Sequence, residues 1–303
     1  MSELPSLFLN NLLPILLAAA AGYPLGKWLH VNPRPLSQVI FYIFSPCLVF
    51  KLLTDNPLEI SEILRMMLFA SLIMVMVGSI TLAAGMAMKF ERRLLAAVLL
   101  TSIFMNAGNY GMPLNLFAFG ENALAYAGLY FVTMAVMTNI VGVVIASMGR
   151  SSFTQSIVGL VKLPTIYALI LGVVFVRMGW ELPLPVDRTV TLLKDASIPS
   201  MLVLLGLQFQ QASWKGHTRA LALSNSMRLM VAPGLALGLS LLFGFQGPAR
   251  QASVLESGMP TAVLTTILAT EYDVEPSFVT SAVFASTLLS PLTLTPLLAF
   301  LSG

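Results

Sequence analysis

Asn106-Ala-Gly-Asn-Tyr-Gly-Met-Pro-Leu-Asn115 interrupts an apolar run that extends from Leu94 to Phe119. Its Gly111-Met112-Pro113 recurs as Gly258-Met259-Pro260, inside a second apolar run between Ala252 and Thr270. The two copies are 147 positions apart in a chain of 303 residues. Glycine and proline do not favour an uninterrupted membrane helix, and a matched pair of such breaks in two halves points to the binding site of a transporter.

The composition agrees with a lipid environment. The chain is 57% hydrophobic and 10% charged, and its mean hydropathy is +0.87; a soluble domain carries about 25% charged residues. The formal charge of +3 therefore argues for no nucleic-acid partner, and the placement of Lys and Arg in the loops carries the information instead. One cysteine, Cys47, allows no internal disulfide and reads as a packing residue. His30 and His217 form no metal-ligand cluster with it. No cofactor is expected. The N-terminus, Met-Ser-Glu-Leu-Pro, lacks the positive region of a signal peptide, and the first apolar stretch reads as a retained span.

Crossing the hydrocarbon core takes about 20 apolar residues. Ten segments qualify: 6–28, 36–54, 65–88, 94–119, 122–148, 160–179, 188–210, 228–246, 250–270 and 277–301. Together they make residues 1–303 one all-α transmembrane domain. They divide five and five about Arg150-Ser-Ser-Phe-Thr-Gln-Ser156, giving halves 1–150 and 157–303. Leu13-Pro14 and Leu163-Pro164, and Pro46 and Pro199, echo one another across the halves. Five is odd, so the second half enters from the opposite side and the two five-helix repeats are inverted. Lys27, Arg34, Lys89, Arg92, Arg93, Arg150, Lys162, Lys215 and Arg219 fall on one side, against Lys51, Arg65, Arg177, Arg188 and Arg250. The positive-inside rule then places both termini outside.

Asn106 lies twelve residues past Leu94, about 18 Å deep at 1.5 Å per residue, and Pro260 lies about 15 Å past Arg250. The breaks in spans 4 and 9 thus approach the midplane from opposite faces and are expected to cross. Half-helix N-termini there present N–H groups and positive dipole ends, which suit a carboxylate. Asn106, Asn109, Gly111, Pro113, Gly258, Pro260 and Thr261 are the expected substrate contacts. Asn115 shares the polar stretch and has partners to find within it. Glu256, ionisable at membrane depth, reads as a Na⁺ ligand or proton carrier, with Asn106 and Thr133 as candidate further oxygens. Lys194-Asp195 in span 7 is a candidate charged relay, although adjacent residues do not face each other on a helix. Arg228 reads as the cytoplasmic end of span 8.

Three stretches carry a family resemblance: Asn106-x-Gly-x-x-Gly111-x-Pro113-Leu, Leu255-Glu256-Ser-Gly-Met-Pro260 and Ile198-Pro-Ser-Met-Leu-Val-Leu-Leu-Gly206. With them the chain resembles the auxin efflux carrier family, in particular its bacterial members, which lack the long central loop of plant members. The resemblance implies ten spans in two inverted repeats, a crossing of spans 4 and 9, and a scaffold domain of spans 1, 2, 6 and 7. It also implies a homodimer, an inner-membrane location with periplasmic termini, and organic anions such as auxin or malonate as substrates. The architecture is similar to that of bile-acid sodium symporters, in which a span 9 glutamate helps to bind Na⁺; Pro260 departs from the polar residue of those symporters. The expected function is secondary transport of a small organic anion, with Na⁺ or H⁺ coupling, or else uniport or channel-like permeation. No HExxH motif, Asp-rich motif or Ser/His pair suggests an enzyme.

Overall fold

Prolines mark most of the places where the described helices widen, Thr138–Gly142 excepted, because proline lacks an amide hydrogen and its ring strikes the carbonyl four residues back. In the computed structural model, which describes residues 4–147, 161–208 and 217–302, four π-turns stand two residues ahead of a proline. They are Phe8–Leu12 before Pro14, Ile40–Phe44 before Pro46, Ala107–Gly111 before Pro113 and Met227–Val231 before Pro233. In each case the carbonyl that the ring would strike lies inside the π-turn. The wider turn moves it aside, and the helix continues instead of ending.

The described residues form helices and no strand. Seven helices are long and apolar enough to cross a membrane: α1 (Leu4–Lys27), α2 (Pro33–Asp55), α3 (Ile60–Ala87), α5 (Ala107–Ala146), α7 (Leu184–Gln208), α8 (Thr218–Leu242) and α11 (Pro276–Ser302). Four shorter ones lie among the described residues: α4 (Arg92–Ile103), α6 (Pro164–Met178), α9 (Gly247–Ser257) and α10 (Leu264–Glu271). At 40 residues α5 would run about 60 Å if straight, twice the hydrocarbon thickness. It does not run straight. Gly120, at φ 78° and ψ −171°, takes a conformation open to glycine and folds the segment into two limbs.

Local signals fix several ends. The Asn32 side chain accepts the Arg34 amide at the start of α2. Glu59 and Glu62 form a reciprocal capping box at the start of α3. Gly179, left-handed at φ 63°, closes α6.

The helices pack in two groups. In one, α7 lies along α1 and α2, and α6 lies against α2. In the other, α3 packs on α4 and α5, α5 on α9, and α8 on α4 and α9. The expected proline echoes occupy unlike settings: Pro14 and Pro46 follow π-turns, Pro164 opens α6, and Pro199 lies inside α7. The expected linker Arg150–Ser156 and Lys215 lie outside the described residues. The sequence places the end of span 8 at Arg228, but α8 begins at Thr218, so Arg228 sits ten residues inside it.

Candidate functional site

After Ile103 the chain leaves α4 in extended form, with Phe104 at φ −95° and ψ 117°. The stretch after Gly258 meets it. The Asn106 amide donates to the Pro260 carbonyl at 2.7 Å and the Ala262 amide to the Phe104 carbonyl at 2.9 Å, pairing Met105 with Thr261 antiparallel. Each break thereby satisfies backbone groups that the other frees, which a low-dielectric interior requires. Thr261 ties the junction to its surroundings. Its hydroxyl donates to the Thr101 carbonyl at 2.7 Å, and its amide donates to Ser286 Oγ at 3.1 Å.

Asn106 starts the second limb of the first break. Its carbonyl accepts the Gly111 amide at 2.9 Å, closing the π-turn, and its Oδ1 accepts the Asn109 amide at 3.2 Å. Its Nδ2 is buried without an acceptor among the described residues. Pro113 sits in the first turn after the π-turn, while Gly258 closes α9 beneath the Leu297 side chain.

Glu256 is fully buried, one turn before the second break. Asn115, also fully buried, donates Nδ2 to Glu256 Oε1 and to the Gly111 carbonyl, both at 2.9 Å. Glu256 Oε2 and Asn115 Oδ1 have no donor among the described residues. The carboxylate rests directly on Gly111, where a Cβ would stand 2.2 Å from Oε2. Gly111 is thus required by the close approach of the other arm.

The expected cation set is only partly assembled. Asn106 uses its oxygen on Asn109, and the Thr133 hydroxyl donates to the Leu129 carbonyl of its own helix at 2.8 Å. Asn115, not Asn106 or Thr133, bonds Glu256. From the same limb as Thr133, Tyr130 reaches across instead, its hydroxyl 2.9 Å from Ser257 Oγ. Lys194 and Asp195 have separate surroundings. Lys194 Nζ lies 3.6 Å from Asp55, which also pairs with Lys51 at 2.7 Å, whereas Asp195 is exposed.

Arg228 is the group that sequence reasoning misplaced. It is fully buried at the π-turn of α8. Nη1 donates to the Ser102 and Ile103 carbonyls, each at 2.9 Å, and Nη2 donates to the Ser257 carbonyl. One guanidinium therefore caps the C-terminal ends of both α4 and α9, where carbonyls lack helical partners and the helix dipoles are negative. The crossing has a polarity: carbonyl ends face a fixed cation, and the amide ends that begin α5 and α10 lie beyond it.

The profile of the family described as "Membrane transport protein" matches residues 7–153 and 146–298. The chain belongs to this family, that of the auxin efflux carriers. It is similar over 286 residues to an uncharacterized transporter of Methanothermobacter thermautotrophicus, at 26% identity over 93% of this chain and 94% of the relative. A Rhizobium meliloti protein named "Putative malonate transporter" is 27% identical over 87% of this chain and 85% of its own length. Auxin efflux carrier component 1 of Arabidopsis thaliana is 26% identical over 45% of this chain and 23% of its own. Family and helices together make this a multi-pass membrane transport protein.

Proposed function

We propose that this family member is a secondary carrier of a small organic anion, working by alternating access about the crossing of its two broken helices. Residues 1–303 form one transmembrane domain of ten crossings. In this reading α4 continues into the first limb of α5 as span 4, the second limb of α5 is span 5, and α9 with α10 is span 9. Residues 1–150 and 157–303 are the inverted repeats. The group of α1, α2, α6 and α7 serves as scaffold, and the other group moves against it as the crossover body. The family membership and the malonate transporter name of one relative support the substrate class.

The observation that carries the reading is the junction itself: two interrupted helices bonded break to break, with a buried carboxylate on one arm and asparagines on the other. The positive ends of α5 and α10 attract the anion, contacted by Asn106, Asn109, Gly111, Pro113, Gly258, Pro260 and Thr261. Glu256 Oε2 and Asn115 Oδ1 are acceptors left without donors among the described residues, which fits Na⁺ or a proton as the coupling ion. Bringing an anion alone beside a buried carboxylate is costly, so cation and anion travel together. The Lys/Arg distribution supports periplasmic termini, and the resemblance to bacterial members supports an inner-membrane location. Scaffold helices form its homodimer contact.

Uptake of labelled malonate into proteoliposomes tests this. Asn106→Ala and Pro260→Ala are each expected to lower the rate at least tenfold. Wild-type rates in both would refute the crossover site, and single-channel conductance would replace the carrier by a pore.

A further inference from the structure

A second polar site lies at one end of the molecule. A cleft of about 570 Å³ opens where α2 ends, α3 and α9 begin, and the second limb of α5 starts. That volume is in the range of small-molecule sites, about 300–1,000 Å³. The cleft lies on the seam between the two packing groups, with α2 on one side and α3, α5 and α9 on the other. Arg65, Asn122 and Gln246 stand exposed on it, and Tyr126 and Phe245 are its buried apolar lining.

The charges of the cleft are not equally committed. Glu62 has both oxygens bonded, Oε2 to the Glu59 amide at 3.1 Å and Oε1 to the Tyr126 hydroxyl at 2.7 Å, and it sits at the positive end of α3. Asp55 is held by Lys51 at 2.7 Å and Lys194 at 3.6 Å. Arg65 has no carboxylate partner among the described residues. Its Nη2 donates to the Phe243 carbonyl, and the guanidinium lies over the Phe245 ring, 5.3 Å from its centroid. An arginine oriented in this way and offering further N–H groups matches the planar fork of a carboxylate.

The cleft also leads toward the crossing. Ala249 on its wall is seven residues before Glu256, about 10 Å along α9. Tyr126 on the cleft is one turn before Tyr130, whose hydroxyl meets Ser257.

We propose that this cleft is an entry site, in which Arg65 takes the carboxylate of a small organic acid before the crossing does. The proposal rests on the organic-anion reading above. Malonate uptake and malonate-dependent thermal stabilisation of the full-length protein test it, with neutral malonamide as the uncharged probe and chloride to match ionic strength. Arg65→Gln is expected to raise the KM for malonate at least tenfold with the maximal rate within twofold of wild type, and Arg65→Lys to recover part of the affinity. Asn122→Asp adds a like charge on an exposed side chain of the same cleft and is expected to raise KM several-fold, which keeps the test open if the Arg65 variants fold poorly. Competition by malonamide as strong as by malonate would overturn the proposal. So would an unchanged KM in Arg65→Gln or Asn122→Asp beside intact wild-type uptake, but that result leaves the carrier standing. If malonate, succinate and acetate neither enter with nor stabilise the wild type, the carrier reading and the entry site fall together.

Discussion

Glu256 and Asn115 come from different broken helices and share one hydrogen bond of 2.9 Å, and each is left with an oxygen to which nothing donates among the described residues. Two adjoining acceptors without donors are unfavourable in a dry interior, by about 1–3 kcal/mol each, unless a cation, proton or water meets them. Replacing choline chloride by NaCl is therefore expected to raise the melting temperature of wild type and to leave Glu256→Gln unmoved. Asn115→Leu should weaken the effect. A wild-type protein indifferent to Na⁺ would exclude Na⁺ as the coupling ion.

Gly111 bears the carboxylate of Glu256 on its Cα. Gly111→Ala forces the two apart and is expected to destabilise by about 1–3 kcal/mol, the usual scale of overpacking. Glu256→Ala removes the obstacle, so the double variant should melt above Gly111→Ala alone. Thermal unfolding in detergent reads both, and simple additivity of the two losses would contradict the contact.

Arg228→Met strips three carbonyls at two helix ends of their donor. Each buried orphan costs about 1–3 kcal/mol, so the variant is expected to be recovered poorly, while Arg228→Lys keeps the charge and part of the bonding. A melting temperature for Arg228→Met within two degrees of wild type would show that the cap carries no stability.

Within the first packing group, α1 and α7 touch through glycine. A Cβ on Gly206 would stand 1.6 Å from the Ala19 carbonyl oxygen, whereas one on Gly238 of α8 meets nothing within 4 Å. In an open helix position Gly→Ala stabilises by about 0.5–1 kcal/mol. Gly238→Ala should thus be neutral or stabilising and Gly206→Ala strongly destabilising, as measured by melting; equal effects would contradict the close packing of α1 on α7.

The sequence exposed the parts of the site that break a helix. Gly111-Met112-Pro113 and Gly258-Met259-Pro260 both mark real interruptions, and Asn106 and Glu256 lie beside them. What it hid was contact across helices. Asn115 matters because it is one turn past Gly111, and Gly111 is where the other arm lands. Arg228 was hidden by the polar start of α8, Thr218-Arg-Ala-Leu-Ala-Leu-Ser-Asn-Ser226, which depresses hydropathy although Ser224 is buried against α4, bonded to Thr101 at 2.8 Å. Lys194 and Asp195 adjoin and so face apart on a helix, as their spacing indicates, but which helix supplies the partner of Lys194 is not written in the local sequence: it is Asp55 of α2.

The most direct measurement follows labelled malonate and its coupling cation in the same proteoliposomes, for wild type and Glu256→Gln. The expected result is malonate uptake driven by an inward Na⁺ or proton gradient in wild type, with that dependence abolished in Glu256→Gln. Uptake by Glu256→Gln at the wild-type rate and with the wild-type cation dependence would contradict the assignment of the crossing as the coupled transport site.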